Sequence, residues 1–201
     1  MRSRAAASVL ARAGFNEVHS MEGGIHAWKG LVAMGVPEAG MAYFPPGAKP
    51  EELIALAWML EGGTKKFYSA VPGSGKKGEV ADFFRQLAGD EEKHQSALLN
   101  LYRKVSGRDT DPGFPGSVIS ADPGEEFMEG GMRVKEALAW MEGKTLRDVV
   151  ELALSLEVNA SDLYIKMERR VEDPQAREAF QVLSNQERKH LERLTELFEK
   201  T

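Results

Sequence analysis

Four pairs of chemically capable residues recur in this chain at one fixed offset. Glu61 and Glu157, Tyr68 and Tyr164, Glu91 and Glu187, and His94 and His190 all lie 96 positions apart. Apolar positions keep the same spacing: Ala57/Ala153, Leu60/Leu156, Phe84/Phe180, Leu87/Leu183, Leu98/Leu194 and Leu101/Leu197. A shared offset over so many positions is an internal duplication. Each copy carries a lone glutamate on one segment and a Glu-x-x-His on the next. Glu91 and His94, like Glu187 and His190, are spaced i, i+3, which places both on one face of one helical turn. Two such sets facing each other supply four carboxylates and two imidazoles, the donors of a dinuclear metal site in a four-helix bundle.

All six residues fall inside the apolar stripe of their own segment, which predicts that all six are buried. An unpaired carboxylate in a protein core is costly, and four converging there are worse. Two divalent cations resolve this, because their charge balances four carboxylates and leaves both imidazoles neutral. The pattern places Glu91 and Glu187 between the metals as bridges, with Glu61 and Glu157 as terminal ligands. No catalytic residue is expected beyond these ligands. Tyr68 and Tyr164 read either as packed core tyrosines or as hydrogen-bond donors to the carboxylates. Asp90 and Gln186, each just before a bridging glutamate, are placed to orient the imidazole of the opposite half. A single Glu-x-x-His is common on exposed helices, and only its repetition in register carries weight.

Composition narrows the chemistry. The 201 residues include no cysteine, which removes disulfides, thiolate zinc sites, iron–sulfur clusters and cysteine nucleophiles. Carboxylate and imidazole donors suit iron or manganese, with other divalent metals as substitutes. A net charge of −5 with no basic run argues against nucleic-acid binding. No stretch is long and apolar enough to span a membrane, and the start of the chain is too weak for a signal peptide, so a cytoplasmic protein is expected.

The elements that must position the ligands follow in order. Residues 50–70 predict a helix opened by Pro50 with Glu51 and Glu52 in its first turn, and Val71-Pro72-Gly73 stops it. A second helix is expected over 77–105. An irregular stretch over 106–131 and a short helix over 134–141 follow. Thr145 with Asp148 caps a third long helix, and Asp173-Pro174 opens a fourth. The joins within each pair are short, whereas the join between the pairs, roughly forty residues, is long enough to cross the bundle; a single long crossover is the ferritin-like arrangement.

Ahead of the bundle, Arg2-Ser3-Arg4-Ala5-Ala6-Ala7, Gly14-Phe15 and Met21-Glu22-Gly23-Gly24-Ile25-His26-Ala27-Trp28 resemble the C-terminal third of a rhodanese domain. The persulfide-forming cysteine of that family is missing, so sulfur transfer is not carried over. The expected organisation is a helix–strand–helix segment over 1–40, a linker over 41–49 and the bundle over 50–201. The strand-like Phe15–His19 has no partner strand, and the apolar residues around it predict a homodimer through this segment.

Residues 50–201, through the duplicated Glu-x6-Tyr and Glu-x-x-His, resemble the rubrerythrin branch of the ferritin-like superfamily. The resemblance implies two iron ions per chain and reduction of peroxide or dioxygen with electrons from an external donor. Rubrerythrins carry an extra glutamate three residues after the ligand on the third helix. Here that position is Ala160, which brings the site closer to the symmetric bacterioferritin type. Bacterioferritin-like iron storage, or a metal-stabilised interaction protein without catalysis, are the alternatives.

Overall fold

The computed structural model describes residues 48–74, 78–119 and 126–201. The helix–strand–helix expected over 1–40 and most of the linker lie outside these residues. Among the described residues are five α-helices and no strand, with one isolated bridge between Phe127 and Arg133.

Helix α1, Pro50–Ala70, begins where expected: Glu52 reaches back to accept the Lys49 backbone N–H at 2.9 Å. A 3₁₀ turn at Val71–Ser74 stops it. Helix α2, Glu79–Ser106, ends at Gly107, whose φ of 66° is the left-handed conformation that glycine adopts without strain. Helix α3, Val134–Met141, is the short helix of the crossover. Helix α4, Leu146–Arg170, opens on a reciprocal cap, Thr145 Oγ1 accepting from Asp148 N and Asp148 Oδ2 from Thr145 N. Helix α5, Pro174–Glu199, is capped by Asp173, which accepts the Ala176 N–H at 2.7 Å.

Helices α1 and α2 pack as one hairpin and α4 and α5 as another, and α2 and α5 touch across them. The apolar stripes build two clusters. One gathers Leu53, Leu56 and Leu60 of α1 with Leu98, Leu101, Leu163, Met167, Phe180 and Leu183. The other gathers Phe67 and Tyr68 with Phe84, Leu87, Val149, Val150, Ala153 and Leu194. Along every long helix the glutamates fall between the two clusters, so the bundle has a polar layer with an apolar core on each side.

The described parts of the crossover pack on the bundle at two places. Phe114 seats its ring against Trp58 at 5.2 Å and Tyr102 at 4.9 Å between centroids. Further on, a 3₁₀ turn at Glu129–Gly131 lies against both α1 and α4. The fit is tight enough to dictate residue type: a Cβ on Gly63 would stand 2.1 Å from the Phe127 carbonyl oxygen.

Candidate metal centre

The duplicated glutamates and histidines meet in the polar layer, and none of the six is more than 4% exposed. Two groups of donor atoms, each lying within 4.8 Å of one another, could hold an ion. One is Glu61, Glu91, His94 and Glu187, and the other is Glu91, Glu157, Glu187 and His190. Glu91 and Glu187 belong to both.

Distances assign each oxygen a direction. His94 Nδ1 lies 3.0 Å from Glu91 Oε2, 3.1 Å from Glu187 Oε1 and 3.3 Å from Glu61 Oε2. His190 Nδ1 lies 3.1 Å from Glu187 Oε2, 3.3 Å from Glu157 Oε2 and 3.5 Å from Glu91 Oε1. Glu91 and Glu187 thus turn one oxygen to each histidine. Hydrogen bonding cannot explain this, because an imidazole nitrogen has one proton or one lone pair and faces three oxygens. Both oxygens of Glu187 and Oε1 of Glu91 in fact lack any hydrogen-bond partner. Donors about 2.1 Å from a shared ion and at right angles to each other stand roughly 3.0 Å apart. The observed edges fit donors arranged around two common points.

The remaining oxygens are held across the bundle. Tyr68 donates to Glu157 Oε1 and Tyr164 donates to Glu61 Oε1, so each tyrosine serves the glutamate of the other hairpin. Both rings are also fully buried, Tyr68 in one apolar cluster and Tyr164 in the other. Asp90 Oδ2 stands 3.6 Å from His190 Nε2, on the outer side of the ring, beyond hydrogen-bond length but within reach of its charge. Arg193 Nη1 holds that same Asp90 oxygen at 3.1 Å, while Nη2 donates to Gln86 and the guanidinium lies over Phe83. Gln186 lines a groove beside His94.

Here the two halves part. The residue matching Arg193 in the first copy is Ala97. Where Arg193 covers the His190 side, a groove of about 670 Å³ opens between α2 and α5 on the His94 side, lined by His94, Ala97, Leu98, Val182 and Gln186 among others.

Protonation follows the crowding. Burial and the charges of Glu61 and Glu187 push Glu91 well above the carboxylate range, and burial with the charge of Glu187 raises Glu157 to about 8. Burial alone lowers His190, but the neighbouring carboxylates of Glu157 and Glu187 overcome it and raise the group to about 10. His94 is raised in the same way, chiefly by Glu61 against its own burial. Glu187 goes the other way: both histidines hold it down against the effect of burial. Protons are the ligands this cluster shares when no metal is there, and a cation replaces them.

One residue of the layer escaped the sequence reading. Glu129, in the crossover turn, is 2% exposed, and neither of its carboxylate oxygens has a hydrogen-bond partner. Burial and the charge of Glu61 raise it well above the carboxylate range, with Glu187 and Glu157 adding to the effect. Periodicity could not place it, because it lies in a three-residue 3₁₀ turn and in no α-helix. The available signal was local: an acid between apolar Phe127-Met128 and the pair Gly130-Gly131.

A ferritin-like bundle with buried carboxylate and histidine groups that could hold metal defines the class. Within it, the chain belongs to the rubrerythrin family, whose model matches residues 52–198 and which typically binds iron. A solved structure of a hypothetical protein from Pyrococcus furiosus is 24% identical, with a TM-score of 0.58, and the match covers 82% of this chain and 95% of that one. At this identity the likeness shows the fold. No curated protein matches the chain. No helix among the described residues is long and apolar enough to cross a membrane.

Proposed function

We propose that this chain is a di-iron carboxylate oxidoreductase that reduces hydrogen peroxide or dioxygen with electrons from a separate donor. The carrying observation is the pair of shared carboxylates: Glu91 and Glu187 each present one oxygen to His94 and the other to His190. When bound, two ferrous ions supply the two electrons that, with two protons, take peroxide to two waters. Glu61 and His94 hold one side of the site, and Glu157 and His190 hold the other. Tyr68 and Tyr164 fix the terminal glutamates, so that each presents its second oxygen inward. Asp90, anchored by Arg193, faces the outer nitrogen of His190 and keeps Nδ1 turned to the carboxylates. The apolar clusters above and below exclude water, and the groove beside His94 gives a small oxidant its approach.

An anaerobic ferrous titration tests the reading, with an expected end point of two ions per chain. Addition of peroxide or air then oxidises both, seen as the near-ultraviolet absorption of ferric carboxylate. A stoichiometry of one or none removes the dinuclear reading, and iron that oxidises without turning over under a reductant removes the enzymatic one. The first forty residues, read as a rhodanese-like segment without its cysteine, are proposed as a non-catalytic dimer interface. Deleting them and measuring mass by light scattering is the check, with loss of the dimer and unchanged iron binding expected.

A further inference from the structure

The duplicated helices account for four carboxylates, yet the polar layer contains a fifth. The turn that carries Glu129 is wedged between α1 and α4 at the level of their glutamates. The Glu129 N–H meets Thr64 Oγ1 at 3.5 Å, one helical turn beyond Glu61. The Phe127 carbonyl presses on Gly63, and the next residue of the turn, Gly130 with φ of 81°, packs against the side chain of Asn159, two residues beyond Glu157. At the third place after each of these glutamates stand Thr64 and Ala160, both buried and both small.

The Glu129 side chain is buried without a hydrogen bond on either oxygen, and it forms no ion pair among the described residues. The charges it feels most are those of Glu61, Glu187 and Glu157, and both site tyrosines feel its charge in turn. A charged carboxylate buried among carboxylates is stabilised by a cation beside it. A neutral acid in its place would have a proton to donate, and no acceptor is paired with it. The two donor groups are the cation positions that the neighbouring residues offer, and Glu129 belongs to neither.

We propose that Glu129 is a further metal ligand of the centre, delivered by the crossover and not by the duplicated helices. This rests on the dinuclear reading above. It makes the crossover part of the site, and the two halves unequal in donors.

Cobalt(II), which does not oxidise under the conditions of the test, serves as the probe, with calorimetric titration and the visible d–d spectrum as readouts. Wild type, Glu129→Gln, Glu129→Asp and the exposed crossover control Glu126→Gln are compared as full-length chains, each checked for helicity by circular dichroism. The expected result is two ions in wild type and in E126Q, with at least one ion bound about ten- to a hundred-fold more weakly in E129Q and an altered spectrum. The shorter acid of E129D should retain part of the affinity, which keeps the test decisive if E129Q does not fold. Equal affinities and spectra in wild type and E129Q overturn the assignment while leaving the dinuclear reading intact, as does an equal loss in E126Q. Fewer than two ions in wild type overturns both.

Discussion

Three carboxylates converge on Nδ1 of each histidine, and their protons must go somewhere when no metal is bound. Glu157 titrates near 8 and His190 near 10 in the fold, against 4.5 and 6.5 for the free groups. The metal-free fold therefore binds more protons than the unfolded chain across this window, and its stability falls as pH rises from about 4.5 to 10. Glu91 and Glu129 are raised and push the same way. Glu187, held low by both histidines, acts with opposite sign, but only below pH 4.5 where the unfolded group takes up its proton. Apoprotein should melt higher at pH 5 than at pH 8. Metal-loaded protein should show the reverse, because ions displace those protons. An apoprotein that gains stability between pH 5 and 8 contradicts the cluster's electrostatics. The tyrosines give a second residue-scale prediction. In Tyr68→Phe a buried oxygen of Glu157 loses its donor, and in Tyr164→Phe the same happens to Glu61. Each should cost about 1–3 kcal/mol in the apoprotein. The losses in metal affinity should be crossed: Y68F weakens the ion shared with His190, and Y164F the ion shared with His94. Titrations of the two variants that alter the same ion would contradict this pairing.

At the scale of the elements, symmetry and its breaking divide what was legible from what was not. The four long helices, their caps at Thr145 and Asp173, and the six buried donors could be read because helical period and a constant offset both point at them. The crossing of the tyrosine bonds could not, since sequence spacing places Tyr68 near Glu61 on its own helix and says nothing of the facing one. Glu129 was out of reach for a related reason: it is set by the contact of a turn with Gly63 and Asn159, and such contacts have no period. That contact gives a prediction. Gly63→Ala puts a Cβ into the Phe127 carbonyl and must displace the crossover, at about 1–3 kcal/mol, seen as a lower Tm. If the crossover carries a ligand, the same change also weakens metal binding. Ala97, where the other copy has Arg193, leaves the His94 side open. Ala97→Arg should narrow the groove, slowing oxidation of the ferrous site by peroxide while two ions still bind. An unchanged stopped-flow rate would mean that oxidant enters elsewhere.

The whole bundle is two hairpins joined through a charged layer. Within each hairpin the helices pack closely along their length, and the Glu129–Gly131 turn lies against both α1 and α4 and so bridges the two hairpins. Joining the hairpins at that level are the crossed tyrosine bonds, the Arg193 bonds to Asp90 and Gln86, the shared carboxylates and whatever neutralises them. The apolar clusters on either side supply burial, yet they flank a layer of five buried glutamates, which oppose association while they carry charge. A bound ion thus fastens one half of the duplication to the other. Its contribution to stability grows as RT ln(1 + [M]/Kd), about 4 kcal/mol when free metal is a thousand times the dissociation constant. Chelation should lower the Tm accordingly. Amide exchange should then quicken first in the crossover turn and along the facing sides of α1 and α4, while the α1–α2 and α4–α5 hairpins keep their protection longer. If chelation instead leaves the Tm and the exchange pattern unchanged under reversible conditions, the layer is stable as a proton-sharing cluster alone, and the metals play no part in holding the halves together.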